Sequence, residues 1–344
     1  MGVLLSGRAL GLALLGAFSS GILVAYWLLK GVENKPDKIC DYQIARVGGY
    51  EWVGPLLYAE KECETETYHD LKIALSRQID SLQRSKCLSE ASVYLRDFYR
   101  GEWMSLNEEE RYHPASLMKV ALLTSMLKAA ERQPGLLEQR LLYTPPAKGT
   151  VPPQYFVYDH IEAGKEYTVA ELMEYMIVYS DNYATWLLAS RLNPQSTPKL
   201  FADIGLSVPT EDPSRLTMSA PEVAVLFKAI FNSSYLSPES SEYAARLMSR
   251  CAFKEGFRRG LPPDTRLWHK FGEWRSPQQP CELHEAGVLY VEGAPYLLVI
   301  MTRGNAPEPL AQSIAAMSRL IYQNLLARNP GSGLGEVENA AAAP

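Results

Sequence analysis

Across its 344 residues the chain sets 39 acidic against 34 basic side chains, a net charge near −5, with 47% hydrophobic residues. That balance, without any long basic block, excludes the electrostatic footprint of a nucleic-acid binder. The length suffices for a sizeable core in one large domain or two lobes, and the apolar share is ordinary for a globular protein with one membrane segment.

The chain opens on an almost wholly apolar run, Ala9 to Leu29, closing in Ala25-Tyr26-Trp27-Leu28-Leu29-Lys30. About twenty such residues match a bilayer span, and the aromatic pair suits its interface. A cleavable signal peptide has a shorter apolar core and a small-residue exit. Ala17-Phe18-Ser19 offers a candidate site, but apolar residues resume beyond it. The expectation is an uncleaved anchor over residues 1–30. By count of positive charges, Lys30, Lys35 and Lys38 against Arg8, the long C-terminal part would lie inside. Residues 31–66 read as a linker, with Gly48-Gly49 and acids between Glu60 and Glu66.

Thr67 to Lys86 reads as an amphipathic helix, with Leu71, Ala74, Leu75, Ile79 and Leu82 along one side. Two strands follow. His113-Pro114-Ala115 then punctuates the start of a helix whose apolar spacing continues through Val120 to Lys128. Ser116 falls in its first turn and Lys119 one turn on. Residues three apart share a helix face, so the two side chains can meet. A serine hydroxyl is a poor nucleophile until a neighbouring base takes its proton; a poorly solvated lysine near other cations can be that base. The helix N-terminus favours negative charge developing beside it. Alone, the spacing fits an ordinary helix start with a solvated lysine equally well.

Residues 133 to about 215 read as largely helical, with proline-rich connections at Thr144-Pro145-Pro146 and Val151-Pro152-Pro153. Thr168 and Glu171 form a capping box for the helix running to Tyr179. Ser180-Asp181-Asn182 follows, where Asp181 is also a plain cap for a helix over Ala184 to Leu192. Helices return at Pro221–Phe231 and Pro238–Arg250, and strands near 265–271, 283–291 and 295–303. Lys270-Phe271-Gly272 closes the first of these, which as bare sequence is a lysine ending an edge strand. A terminal helix from Glu308 to Leu326 holds Leu310, Ile314, Met317, Ile321 and Leu325 in register. Residues 329–344, with Gly331-Ser332-Gly333-Leu334-Gly335, form a flexible tail. No H-E-x-x-H occurs, and His284-Glu285 lacks its second histidine, so no metal or cofactor is expected. The order of elements gives an α/β (α+β) fold: an antiparallel sheet built from both chain ends, flanked by helices, with an inserted all-helical lobe.

In their order and separation, Ser116-Leu117-Met118-Lys119, Ser180-Asp181-Asn182 and Lys270-Phe271-Gly272 resemble the S-x-x-K, S-D-N and K-T-G set of class A β-lactamases, among the penicillin-recognising serine hydrolases. Val93 to Asp97 with Gly101-Glu102-Trp103 resembles the family's opening hairpin. Leu216 to Glu222 resembles its threonine- and proline-marked helix start, and Gly256 to Pro262 the stretch before its lysine strand. The likeness spans about 67–328, taken as the hydrolase domain.

The resemblance implies that Ser116 attacks a strained or peptide amide carbonyl and forms an acyl-enzyme. Lys119 is the favoured activating base, directly or through water. Ser180 relays a proton to the leaving nitrogen. Lys270 biases that relay and attracts a substrate carboxylate, and Asn182 hydrogen-bonds the substrate's amide side chain. The backbone N–H groups of Ser116 and Glu273 form the oxyanion hole, beside a Gly272 kept small for close approach. Two departures stand out. Phe271 replaces the threonine of K-T-G, with Arg275 either a substitute or a solvated loop residue. No E-x-x-L-N follows Ser180; Glu211 and Asp212 either reach the site or are solvated turn residues. Without a positioned base, deacylation would be slow.

The implied substrates are β-lactams or cell-wall D-alanyl peptides. These place the hydrolase domain outside the cytoplasmic membrane, against the charge count, as a single-pass protein expected to be monomeric. There disulfides are permitted, with Cys40–Cys63 and Cys251–Cys281 as pairs; the alternative is isolated buried thiols. Two functions compete with the β-lactamase reading: a penicillin-binding D,D-carboxypeptidase-like enzyme, and a non-catalytic envelope binding protein.

Overall fold

The computed structural model describes residues 44–59, 63–64, 66–208, 215–276 and 279–328. The expected anchor, the expected tail of residues 329–344, Cys40, Glu211 and Asp212 lie outside these, as does the Cys63 side chain. Among the described residues no helix is long and apolar enough to cross a membrane.

Alternating side chains build the centre of the fold. In strand β4 (Glu90–Asp97), Val93 and Leu95 belong to one buried cluster and Tyr94 to another. In β10 (Ala294–Gly304), Leu298 and Ile300 face one way and Leu297, Val299 and Met301 the other. Both strands are buried on both faces; β10 reads as a near-continuous apolar run, while β4 also buries Ser92, Arg96 and Asp97. With β5 (Glu102–Leu106), β9 (Gln279–Val291) and β8 (Leu267–Ser276) they form five antiparallel strands in the order β5-β4-β10-β9-β8. The two-residue β3 (Cys63–Glu64) pairs parallel to β5 at the far edge. Strand β8 is the opposite edge, so among the described residues one side of its backbone has no strand neighbour.

Helices α1 (His69–Arg84) and α9 (Pro307–Arg328) cover one face. Leu71, Leu75 and Ile79 of α1, and Leu310, Ile314, Met317, Ile321 and Leu325 of α9, are buried there. The other face receives α2 (Met118–Ala130), α3 (Val169–Val178), α6 (Ala220–Phe231) and α7 (Pro238–Ser249), joined by the short α4 (Asn182–Ala189) and α5 (Ser196–Asp203). Capping boxes open α3 at Thr168 with Glu171 and α6 at Ser219 with Glu222. A single turn, α8 (Phe257–Gly260), precedes β8.

Three expectations are corrected. The stretch 133–168 is not helical: it holds a two-strand ladder of β6 (Arg140–Leu142) and β7 (Glu166–Thr168) and extended proline-rich chain, because its prolines cannot donate to a helix. The expected linker is partly ordered. Strands β1 (Ile44–Arg46) and β2 (Leu56–Ala59) pair, and between them the N–H groups of Glu51, Trp52 and Val53 donate to the Glu242 carboxylate at 3.1, 2.9 and 3.2 Å. Finally, Cys251 and Cys281 are both free thiols, each buried, and do not form the proposed pair.

Candidate active site

Ser116 lies in a 3-10 turn, Ala115–Leu117, that leads directly into α2. Strand β9 holds the approach to this turn. Glu282 accepts the His113 N–H at 2.8 Å, and His284 Nε2 lies 3.0 Å from the His113 carbonyl. His284 thus serves the turn, while Glu285, on the opposite face of β9, pairs with His269 at 2.6 Å; the two do not act together. Ala115, just before the serine, has φ of 50°. That left-handed conformation strains a residue with a Cβ, and such strain clusters at functional sites.

Strand β8 passes close to the same turn at Gly272. A Cβ there would stand 2.8 Å from Pro114 O, 3.0 Å from Leu117 N and 3.1 Å from Ser116 N. Only a residue without a side chain permits this approach. It brings the edge of β8 alongside the Ser116 N–H, as the expected oxyanion hole requires.

Ser180 ends the helix-to-helix corner between α3 and α4. It is 1% exposed and has φ of 59°. Asp181 fixes the corner by accepting N–H groups from Tyr183 at 2.8 Å and Ile161 at 2.9 Å. The Ser180 hydroxyl meets both lysines: Lys270 Nζ at 2.8 Å and Lys119 Nζ at 3.2 Å. Lys119 also donates to the Ser180 carbonyl and, at 2.6 Å, to Asn182 Oδ1. Its hydrogen bonds therefore run to 180–182 rather than to Ser116. The structure brings Lys119, Ser180, Asn182 and Lys270 into one hydrogen-bonded group, with Ser116, Gly272 and Glu273 on the adjoining turn and strand.

Both lysines are buried, and neither side chain pairs with a carboxylate at ion-pair distance among the described residues. Burial, reinforced by the Lys270 charge, holds Lys119 well below the ordinary lysine value of 10.5, against the pull of Asp181 and Glu273. Burial lowers Lys270 from 10.5 to about 8. A buried lysine whose hold on its proton is weakened in this way suits a general base. Burial also raises Glu273, opposed by its hydrogen bond from Phe156 and by both lysines.

Phe271 is wholly buried and stacked on Phe253 with ring centroids 4.4 Å apart, and the Lys270 ammonium lies over its ring, 4.1 Å from the centroid. Arg275 is exposed, with its guanidinium over the Tyr155 ring at 5.3 Å.

Sequence reasoning missed one contributor. The segment Pro152–Phe156 reaches the site: Gln154 Nε2 donates to the Ser180 carbonyl at 2.8 Å and Asn182 Nδ2 donates to Pro152 O at 3.0 Å. The only local signal was the Pro152-Pro153 pair, which marks extended chain without saying where it goes.

Comparison with known proteins agrees with this fold. The profile of the family described as "Beta-lactamase enzyme family" matches residues 74–325. A beta-lactamase of Streptomyces lavendulae is 25% identical over 254 residues, covering 69% of this chain and 81% of its own. Among solved structures, a point mutant of PBP-A, as an acyl-enzyme complex with penicillin G, superposes with a TM-score of 0.59 at 23% identity, over 73% of this chain and 95% of that one. A class A beta-lactamase from Mycobacterium abscessus gives 0.60 at 20% identity, over 73% of this chain and 99% of its own. These likenesses extend the shared fold over the sheet and both helical layers.

Proposed function

The chain belongs to the beta-lactamase enzyme family, and from that premise we propose that it is a membrane-anchored serine hydrolase of the class A type whose Ser116 forms an acyl-enzyme with β-lactams outside the cytoplasm. Ser116 Oγ attacks the lactam carbonyl, and its proton passes to Lys119, directly or through water. The N–H groups of Ser116 and Glu273 receive the oxyanion. The C–N bond breaks as the ring nitrogen takes a proton from Ser180 Oγ. Water then cleaves the ester, restoring Ser116 and releasing the opened acid. Lys270 draws the substrate carboxylate, and Asn182 meets an amide arm. The apolar run Ala9 to Leu29 supports the anchor, and the substrate class supports the outward orientation.

One observation carries the reading: a buried serine hydroxyl shared by two buried lysines, at 3.2 and 2.8 Å, beside the turn that holds Ser116. A hydroxyl donates and accepts together, so Ser180 can pass its proton forward and be reprotonated from behind.

A second reading, a penicillin-binding D,D-carboxypeptidase-like enzyme, is favoured by the fate of the nearby carboxylates. Asp181 and Glu273, whose charges reach Lys119, are each spent on backbone N–H groups, to Ile161 and Tyr183 and to Tyr155 and Phe156. Neither is placed to activate a deacylating water, and such base catalysis typically supplies about 10²–10⁴-fold.

Time-resolved intact-mass spectrometry with a penicillin tests both. The expected result is an adduct of the opened lactam on Ser116, absent in Ser116→Ala. Rapid loss with many turnovers marks a β-lactamase; persistence, with D-alanine released from wall peptides, marks the second reading. No adduct and no hydrolysis with several lactams overturns both.

A further inference from the structure

Pro152–Phe156 spans from the Ser180 corner to the edge strand β8, and both its ends are tied to residues of the site. Asn182 Nδ2 holds the Pro152 carbonyl at 3.0 Å, and Gln154 Nε2 holds the Ser180 carbonyl at 2.8 Å. At the far end, the N–H groups of Tyr155 and Phe156 donate to the Glu273 carboxylate at 2.7 and 3.2 Å. The other half of the Asn182 amide, Oδ1, accepts from Lys119 at 2.6 Å. Oδ1 and one of the two Nδ2 N–H groups of that side chain are thus in use.

The segment is also rooted. The Phe156 ring meets Phe253 edge-on at 5.0 Å and Phe271 at 6.3 Å, and Tyr158 meets Phe271 at 6.2 Å. Pro152 and Pro153 fix φ on either side of their bond and limit other paths. The place where the K-T-G threonine is missing is therefore where this segment is fastened: Phe271 faces the core and carries the aromatic cluster beneath it.

The contacts made by the segment are peptide-group contacts. A carbonyl is taken by an asparagine, and N–H groups are taken by a carboxylate. An amide arm on a substrate bound at Ser116 offers the same two groups to the same two residues. We infer that Pro152–Phe156 is a built-in occupant of the amide-binding edge of the cleft, making Ser116 selective for β-lactams without an acylamino arm. The inference rests on the acyl-transfer reading above. An arm-bearing lactam competes with the segment for Asn182 and Glu273, whereas an unsubstituted lactam reaches Ser116 without that competition.

The test measures acylation rates of the full chain by intact mass with penicillanic acid, which has no arm, and benzylpenicillin, each rate divided by that lactam's hydroxide rate. The wild type is expected to favour penicillanic acid at least about tenfold, and Glu273→Ala and Gln154→Ala each to cut the preference several-fold by untying one end. Hydrogen exchange on the wild type supplies a readout independent of variant folding. Benzylpenicillin is expected to speed exchange at the Tyr155 and Phe156 N–H groups, and penicillanic acid to leave them protected. Acylation without preference, a preference unchanged in both variants, or protection unaltered by benzylpenicillin overturns the inference and leaves the acyl-transfer reading standing. No acylation by either lactam overturns both.

Discussion

At Lys270, burial and the proposed function pull against each other. The side chain is wholly buried, donating to Ser180 Oγ at 2.8 Å and Phe271 O at 3.0 Å, and it releases its proton at about 8 instead of 10.5. The unfolded chain keeps that proton up to the ordinary value, so between about 8 and 10.5 it binds more protons than the folded one. Stability therefore rises with pH across that window, and below it the full penalty applies, about 3 kcal/mol for the shift. Lys270→Met is expected to be more stable than the wild type at pH 7 and to lose acylation. The stability difference should shrink as pH approaches 10, followed by urea unfolding; an identical pH slope in both proteins would count against the account. Acylation of carboxylate-bearing lactams by the wild type should also fall above pH about 8, as the Lys270 charge is lost. The neighbouring Phe271 behaves differently. Restoring the family residue with Phe271→Thr is expected to destabilise by about 3–5 kcal/mol, as for other buried aromatic truncations, and to slow acylation, because the ring also holds the Lys270 ammonium 4.1 Å from its centroid. Thermal unfolding and intact-mass rates on the same sample check this. Strand alternation turns the two Cβ atoms to opposite faces, yet the long lysine chain lets its ammonium meet the Phe271 ring as well as Ser180. The grouping of Lys119, Ser180 and Lys270 beside the Ser116 turn was legible by identity and spacing. Gln154 was not, since a glutamine in a proline-rich loop carries no mark of what it will touch.

At the scale of elements, the close pass of β8 against the Ser116 turn is the sensitive joint. Gly272→Val places carbon where Pro114 O would be 2.8 Å away, so strand and turn must separate. Loss of one oxyanion donor typically costs about 10²–10³-fold, and a fall of that order in acylation rate is expected while far-UV circular dichroism stays native. A variant that acylates normally would mean the N–H of Glu273 has no part. Helices that announce themselves by caps and periodic burial were read within a residue or two: α3 and α6 start at their capping boxes, and α9 buries each of the residues in its apolar register. The segment 133–168 was misread because its neighbours are helical and its own signals are prolines. Proline says what the chain cannot be, whereas the β6–β7 ladder depends on pairing between residues far apart in sequence.

At the scale of the whole molecule, the sheet is sewn shut by its chain-end helices. Five buried positions of α9 each contribute about 1.5–3 kcal/mol of burial, together comparable to the total stability of a typical domain. Removing residues 307–328 is expected to leave an unfolded chain, seen as loss of native circular dichroism and of lactam labelling; a soluble, labelled truncation would contradict the layer assignment. The sandwich of helices on both sheet faces followed from element order alone. The cleft between the layers did not, because its depth and its occupant depend on contacts among residues that the sequence keeps apart. Where the hydrolase fold closes, Arg328 Nη1 donates to the Thr67 carbonyl at 2.6 Å. The path of the backbone is thus nearly a ring, and a ring has no privileged beginning. A rearranged gene that bridges those two residues and opens the loop at Gly135, where a side chain would meet empty space, would encode the same catalytic cleft with different ends.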